Sequence, residues 1–164
     1  MKALSKKNII NYDWSKINRH TRILYKKIIE KGFIPDCIIG IARGGLVPAV
    51  TLSYIFKCRF FGYLQFQRTL DDEPYSLVDD TNILLGMSLP DKNIKNALIV
   101  DDILVHGVIF EDTVGILKNK YGTINILGAF LYKEDDTYVD KIKQPYVFSK
   151  KIKTGQWIVY PWES

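Results

Sequence analysis

The chain has 164 residues, and because domains commonly run to about 150 residues, we expect one domain spanning residues 1–164. Hydrophobic residues make up 47% of the chain and charged residues 25%, a composition that excludes a disordered polypeptide. No apolar run is long enough to cross a membrane, and no apolar stretch follows the basic residues 1–11. We therefore expect a cytoplasmic protein with neither a membrane partner nor a signal peptide.

The net charge of +5 suits phosphate-bearing ligands, and it suits plain solubility equally well. Nucleic-acid binding would favour aromatic residues interleaved with the basic ones. That pattern is missing around the late lysines, which we interpret as a solvated face: Lys141, Lys143, Lys150, Lys151 and Lys153. We accordingly expect no nucleic-acid partner.

The first half of the chain predicts two helices and two strands. Apolar residues recur at helical spacing from about Trp14 to Lys31, with Asp13 as the N-cap and Gly32 as the stop. The next elements are a buried strand over Cys37–Ile41, a helix over Leu46–Phe56 and a strand over Arg59–Phe66. Cys37 and Cys58 border apolar runs, so we interpret them as small buried hydrophobic residues and expect no disulfide.

The second half continues the alternation of strands and helices. Residues 67–93 are polar and irregular and predict a long loop, with room for a short strand over Ile83–Met87. The strongest strand pattern is Ala97–Val100, followed by a helix over Val108–Lys120 and strands over Ile124–Leu131, Tyr146–Phe148 and Trp157–Tyr160. This alternation predicts an α/β fold with a parallel sheet flanked by helices.

Two carboxylates follow the strongest predicted strand. Asp101 and Asp102 come directly after Ala97–Val100, and the turn Val105–Gly107 then leads into a helix. Ligands of open α/β sheets bind at the carboxyl ends of strands, and the first amides of a helix suit a phosphate. Because paired carboxylates suit the vicinal hydroxyls of a sugar and a hydrated Mg²⁺, the segment indicates a sugar-phosphate site. Taken alone, it fits equally well a loop in which Asp102 caps the following turn.

A second strand, turn and helix precede it in the chain. Residues 38–46 contain Arg43, Gly44 and Gly45 at the end of a predicted buried strand. Glycines let backbone amides approach an anion closely, and arginine adds a forked cation. Two such turns with carboxylates between them suggest a ligand with phosphate at both ends.

These segments resemble the type I phosphoribosyltransferases, most closely the xanthine-guanine/hypoxanthine branch of the purine enzymes. Residues 97–107 are similar to that family's phosphoribosyl pyrophosphate (PRPP) motif, residues 41–48 to its pyrophosphate loop and residues 157–163 to its base-binding hood. The resemblance covers the chain from about Pro35 to Glu163. It implies a single α/β domain whose C-terminal segment, about residues 133–164, forms a small hood, and it implies a homodimer or homotetramer.

The resemblance implies a role for each matched residue at the PRPP site. Asp101 and Asp102 would bind the ribose hydroxyls, and Asp102 would also lie near the water shell of a Mg²⁺ cofactor. Arg43 completes the expected catalytic set and would hold the pyrophosphate with Gly44 and Gly45, after a cis peptide bond at Ala42–Arg43. The 5′-phosphate would lie on the backbone of the next turn, formed by His106, Gly107, Val108, Ile109 and Phe110.

Four residues are implied at the base site. Lys133 would donate to the exocyclic oxygen of a 6-oxopurine, since an ammonium group is a pure donor. Trp157 would stack on the purine, the Ile158 backbone would pair with its edge, and Glu163 would accept from the 2-amino group of guanine. Without the other motifs, a surface lysine and a core tryptophan would be the better interpretation.

The resemblance also implies a role for residues 67–93. They would be the mobile loop that keeps water from the reaction centre.

The sequence departs from the family pattern in the phosphate turn. The two threonines that ordinarily follow the Asp pair are replaced by His106 and Ile109. Each lost hydroxyl donor should cost about 1–3 kcal/mol of phosphate binding, although backbone amides and a protonated histidine would compensate in part. Val105 stands where oxopurine enzymes carry an aspartate as acid/base partner of the purine, a contribution worth roughly 10²–10⁴-fold in rate.

The sequence leaves two functions open. The first is an enzyme that transfers the phosphoribosyl group of PRPP to guanine, xanthine or hypoxanthine, with a nucleoside monophosphate and pyrophosphate as products. The second is a weakly active or non-catalytic homologue that binds PRPP or a nucleotide and serves regulation. The intact segments favour the enzyme, and the altered turn favours the regulator. Because only backbone amides would be used in that turn, Phe110→Thr is expected to have little effect.

Overall fold

The computed structural model describes residues 9–69, 78–135 and 142–163. In chain order the elements are β1 (Ile9–Asn11), α1 (Trp14–Glu30), β2 (Cys37–Ala42), α2 (Leu46–Phe56), β3 (Phe60–Thr69), β4 (Val78–Ser88), β5 (Asn96–Leu104), α3 (Val108–Tyr121), β6 (Asn125–Glu134), β7 (Tyr146–Ile152) and β8 (Trp157–Val159). The three predicted helices are all present, and α2 has the expected bounds.

A six-stranded sheet with strand order β4-β3-β2-β5-β6-β7 forms the centre of the fold. Neighbouring strands in it are parallel except β3 and β4, which pair antiparallel at one edge. Most of β2 is buried because helices cover both faces of a parallel sheet, and its sequence is accordingly apolar without alternation. The predicted α/β class, with a parallel sheet flanked by helices, is confirmed.

Two hydrophobic cores hold β5 between them. On one face of the sheet, Leu98 belongs to the core that contains Leu24 of α1 and Leu52 of α2. On the other face, Ile99 belongs to the core that contains Phe110 of α3. Because successive strand residues point to opposite faces, both packing layers fix the position of β5 and of the residues at its carboxyl end.

The helix ends follow the expected chemistry. Asp13 caps α1, since its Oδ1 accepts a hydrogen bond from the Lys16 amide at 2.7 Å. Gly32 follows that helix with φ of 67°, a left-handed conformation that glycine adopts readily. None of the helices in the described ranges combines the length and apolar character needed to cross a bilayer.

The prediction of an irregular loop over residues 67–93 was wrong for much of its length. β3 runs to Thr69, and Val78 to Ser88 form an antiparallel edge strand that contains the short strand expected over Ile83–Met87. Residues 70–77 lie outside the described residues. The strand escapes sequence analysis because its apolar side chains do not alternate with polar ones: Ile83, Leu84, Leu85 and Met87 are all exposed at the sheet edge.

The hood differs from the segment expected at about residues 133–164. β7 joins the central sheet beside β6, so it is not part of a separate layer. The small second sheet consists of β8 paired in parallel with β1, with Ile10 opposite Ile158. Three-residue strands carry too little pattern to be recognised in the sequence, and this pairing joins distant parts of the chain.

Phe110→Thr should destabilise the protein by about 3 kcal/mol, a loss of stability in addition to the small effect on activity expected from the sequence. The ring is 2% exposed, meets Phe130 edge-on with centroids 5.4 Å apart and occupies the space over Gly128. Chemical denaturation measures the loss. Val108→Thr, two residues away and 46% exposed, is the matched control, and equal midpoints for the two variants would contradict this packing.

Candidate functional site

Asp101 and Asp102 lie within the last part of β5 rather than beyond it. The strand continues to Leu104, and Asp101 pairs with Phe130 of the neighbouring strand β6. Both carboxylates are half-buried, and Asp101 Oδ1 accepts a hydrogen bond from the Asp102 amide at 2.9 Å. The backbone of a central strand therefore fixes the points from which the two side chains extend.

Both carboxyl groups hold a proton more tightly than an exposed aspartate does. Burial raises the pKa of Asp101 well above its usual range, and the adjacent charge of Asp102 acts in the same direction. Burial also raises the pKa of Asp102, and the negative charge of Glu163 adds to the effect, while a hydrogen bond with Asp101 opposes it. The site thus favours binding of groups that donate hydrogen bonds or carry positive charge to this pair.

The turn after β2 lies against Asp102. The peptide bond Ala42–Arg43 is cis, as the resemblance implied. Gly44 approaches the Asp102 side chain so closely that a Cβ on Gly44 would lie 2.6 Å from the Asp102 Cγ. Glycine is therefore required at this position if the carboxylate is to keep its place.

Gly45 has a different role from the one expected, which was to contact a bound anion. Its amide donates to the Ile41 carbonyl at 2.9 Å, and a Cβ would lie 2.6 Å from the Val100 carbonyl oxygen. The residue is buried behind the turn and does not line the cavity described below. Gly45 therefore allows α2 to begin in close contact with the backbone of β5.

The turn before α3 presents backbone rather than side-chain donors. Gly107 precedes the helix with φ of 74°, and no side chain caps this end. A Cβ on Gly107 would lie 2.5 Å from Ile142 Cδ1, so a larger residue would displace the segment packed there. Glu111, the acidic residue of the first turn, accepts a hydrogen bond from the Lys143 amide at 3.0 Å.

One cavity of about 240 Å³ brings these pieces together. Its walls include the predicted residues Arg43, Gly44, Asp101 and Asp102 and the whole backbone turn from His106 to Phe110. The ends of β2 and β5 therefore open onto one cavity, as a ligand with phosphate at both ends would require. Sequence analysis assigned no role to several apolar residues of the wall, which resemble ordinary core residues in the sequence: Ile41, Ile103, Leu104 and Phe130.

The four residues expected at the base site do not line that cavity. Lys133 is half-buried in β6, where its Nζ lies 3.4 Å from the Glu134 carbonyl oxygen and 6.0 Å from the Phe148 ring centre. Trp157 and Ile158 belong to β8, and Ile158 is buried. Glu163 is exposed, and its Oε2 accepts from the Tyr160 amide at 2.9 Å.

Two hydrogen bonds join the end of β6 to β7 and to the turn that precedes β8. Glu134 Oε1 accepts from the Gly155 amide at 2.9 Å, and the Asp135 amide donates to the Ile152 carbonyl at 2.8 Å. They hold the turn before β8 close to the strand that carries Lys133. Lys133 is thus on the strand end to which the turn preceding Trp157 is hydrogen-bonded.

Tyr160 is a residue of this region to which sequence analysis gave no role. Its side chain is 4% exposed, and its ring stacks on Trp162 with centroids 4.5 Å apart. Burial raises the pKa of the phenol well above its usual range, and among charged groups Asp102 contributes most to the shift. Since it lies between Val159 and Pro161, the sequence does not distinguish it from a core residue.

Comparison with known proteins identifies the family. The model of the phosphoribosyl transferase domain matches residues 12–163. The chain belongs to this family. A curated relative, the xanthine-guanine phosphoribosyltransferase of Nitratidesulfovibrio vulgaris (strain DP4), is 24% identical over 155 residues, which cover 92% of this chain and 82% of that protein.

Solved structures share the fold of this phosphoribosyltransferase. The purine phosphoribosyltransferase from Pyrococcus horikoshii Ot3 superposes with a TM-score of 0.71 at 27% identity, covering 96% of this chain and 95% of that one. A hypothetical protein from Neisseria gonorrhoeae with bound ppGpp superposes with a TM-score of 0.78 at 22% identity, covering 98% and 92%. The second similarity concerns the fold alone.

Asp101→Asn should stabilise the free protein at neutral pH by about 0.5–2 kcal/mol, the gain common when a destabilised functional site is relieved. The folded state raises the pKa of Asp101, so its ionisation opposes folding as the pH rises. Asparagine keeps the acceptor for the Asp102 amide without the charge. Thermal unfolding at neutral pH and below pH 4 measures the difference, which should vanish in acid.

Asp91→Asn is the control for that measurement, because its carboxylate is fully exposed. It should change stability little at either pH. An Asp101→Asn variant less stable than the natural protein at neutral pH would contradict the inferred strain between the carboxylates.

Proposed function

We propose that this phosphoribosyltransferase transfers the 5-phosphoribosyl group of PRPP to a 6-oxopurine (guanine, xanthine or hypoxanthine) and releases pyrophosphate. The observation that carries the proposal is the single cavity that Arg43, Gly44, the Asp pair and the turn before α3 line together. Such walls suit a diphosphate, sugar hydroxyls and a second phosphate in one row. Similarity to xanthine-guanine and purine phosphoribosyltransferases supports a purine as the acceptor.

The reaction forms a bond between a ring nitrogen of the base and the anomeric carbon of the ribose. The bond from that carbon to pyrophosphate breaks, its electron pair leaves with pyrophosphate, and the proton on the base nitrogen passes to solvent. Arg43 would offset the negative charge that the leaving group gains. Asp101 and Asp102 would hold the ribose hydroxyls and stabilise the positive charge that develops on the sugar.

The residues present fit a Mg²⁺ cofactor that binds together with the substrate. Among the described residues, no three His, Cys, Asp or Glu side chains are grouped as a metal site. Magnesium commonly needs only one or two carboxylates when waters and substrate phosphates complete its shell. Asp102, through a water, would hold the ion against the pyrophosphate. When bound, the ion would supply charge neutralisation for the departing diphosphate.

The base would lie between β8 and the end of β6. Trp157 offers a flat aromatic face, and the Ile158 backbone lies in the same strand. An ammonium group has three donors and a carboxylate has two acceptor oxygens. The contacts of Lys133 with Glu134 and of Glu163 with Tyr160 therefore leave capacity for a purine oxygen and an amino group.

Pyrophosphate release tests the proposal. The protein is incubated with PRPP, Mg²⁺ and each oxopurine, and we expect release that depends on the base. Asp102→Asn should abolish it, and Gly44→Ala should reduce it by about 100-fold, because the added Cβ collides with Asp102 and displaces the turn that would hold the pyrophosphate. Gly115→Ala, whose added Cβ meets nothing within 4 Å, is the matched control. Equal activity of the two alanine variants would count against the site.

The substitutions in the turn should limit the rate. Restoring a carboxylate and a hydroxyl with Val105→Asp and Ile109→Thr should raise turnover by roughly 10²-fold, the lower end of the contribution of acid–base catalysis. Val105→Asn combined with Ile109→Thr is the matched control, since asparagine is polar but transfers no proton. No gain of the first variant over the second would show that Val105 does not limit the rate.

A second candidate function is regulatory binding of PRPP or a nucleotide without turnover. The observation that favours it is the apolar turn of the cavity, where Val105 and Ile109 replace groups used for catalysis and phosphate binding. The solved chain that holds ppGpp shares the fold, which makes that nucleotide a ligand to include in titrations. Tight binding of a nucleotide with no pyrophosphate release in the assay above would select this function.

A further inference from the structure

The Tyr160 hydroxyl is buried without a hydrogen-bond partner among the described residues. The side chain is 4% exposed, and no donor or acceptor in the described ranges pairs with the phenolic oxygen. Buried polar groups are nearly always paired in folded proteins, so each exception calls for an explanation. A pairing made only in a ligand-bound state is one such explanation.

The Tyr160 side chain packs in the core beside the end of β5. Tyr160 belongs to the same core as Val100 and Ile103, the residues that flank the Asp pair on that strand. Its ring centre is 6.1 Å from that of Tyr132, which pairs with Ile103 across the β5–β6 ladder. Among the charged residues, Asp102 also raises the pKa of this phenol most.

The turn that carries Tyr160 is stiff. The Tyr160 amide donates to Glu163 Oε2 at 2.9 Å, and the Glu163 amide donates back to the Tyr160 carbonyl at 3.0 Å. Trp162 stacks on the Tyr160 ring with an angle of 7° between the planes. The phenol is thus held in one orientation, and a hydrogen bond to it would lose little further freedom.

Asp102 occupies a position that a bound pyrophosphate would disturb. Its carboxylate lies directly over Gly44, in the turn where the diphosphate would bind beside Arg43. Like charges repel strongly in a half-buried site. A diphosphate bound beside Arg43 would therefore push the carboxylate away from Gly44.

We propose that Tyr160 is a positioning residue whose hydroxyl donates a hydrogen bond to the displaced Asp102 carboxylate. This inference rests on the proposed function, because it requires PRPP in the cavity. An O–H donor to a carboxylate makes a strong, charge-assisted hydrogen bond. The bond would hold Asp102 where it meets the ribose hydroxyls and the water shell of the magnesium ion.

Tyr160→Phe tests the proposal, since it removes one oxygen and keeps the stack on Trp162. Isothermal titration with PRPP and Mg²⁺ should show binding weakened by about 10-fold or more. Guanosine monophosphate has no pyrophosphate to displace the Asp102 carboxylate, so its binding should weaken by less than about 3-fold. The melting temperature should stay equal or rise, because an unpaired buried hydroxyl is removed. A structural role alone would weaken both ligands together.

Tyr132→Phe is the matched control. Tyr132 lies in the same core. Burial raises the pKa of its phenol, and the neighbouring groups that also affect this pKa are Tyr12 and Arg19 rather than the carboxylates. It should bind PRPP as the natural protein does. Unchanged PRPP binding by Tyr160→Phe, or equal losses for both ligands, would overturn the proposal while leaving the proposed function intact. Failure of the natural protein to bind PRPP would overturn both.

Discussion

The close approach of Gly44 to Asp102 is the constraint on which the site depends. β2 and β5 pair in register up to Gly40 and Val100, and beyond that point β2 stays paired with β3 as far as Ala42 while β5 continues to Leu104. A side chain at Gly44 would collide with the Asp102 carboxylate, and the neighbouring residue packs against the β5 backbone. The two strand ends therefore meet without intervening side chains, and the cavity opens immediately beyond them.

This geometry places negative charge where the protein alone stabilises it poorly. Burial raises the pKa of both aspartates, the charge of Asp102 adds to the effect on Asp101, and Glu163 adds a third acidic group nearby. Local conflicts of this kind are typical of functional sites, where stability is given up for binding. Two well-packed cores on either side of β5 supply the rigidity that keeps the carboxylates together.

Local patterns in the sequence predicted the elements that depend on local chemistry. The cap at Asp13, the stop at Gly32 and the bounds of α2 follow from side-chain and backbone preferences within a few residues. The shared cavity was predictable because carboxyl ends of parallel strands lie at one edge of a sheet. The cis peptide was expected only from the family resemblance.

Features set by distant neighbours could not be predicted in the same way. Gly44 and Gly45 look alike in the sequence, and only the position of β5 shows that one lines the cavity and the other lies behind it. Phe110 looked like a backbone contributor, yet its ring fills a core formed with β6. The β4 edge and the pairing of β1 with β8 likewise depend on contacts across the fold.

The small β1–β8 sheet has a consequence for the order of assembly. Its strands come from distant parts of the chain, so it can form only after the central sheet has brought them together. Short two-stranded sheets are marginally stable alone and open at lower free-energy cost than a central core. If β8 receives the purine, recognition of the base rests on the last part of the protein to fold, and an arriving ring would help to complete it.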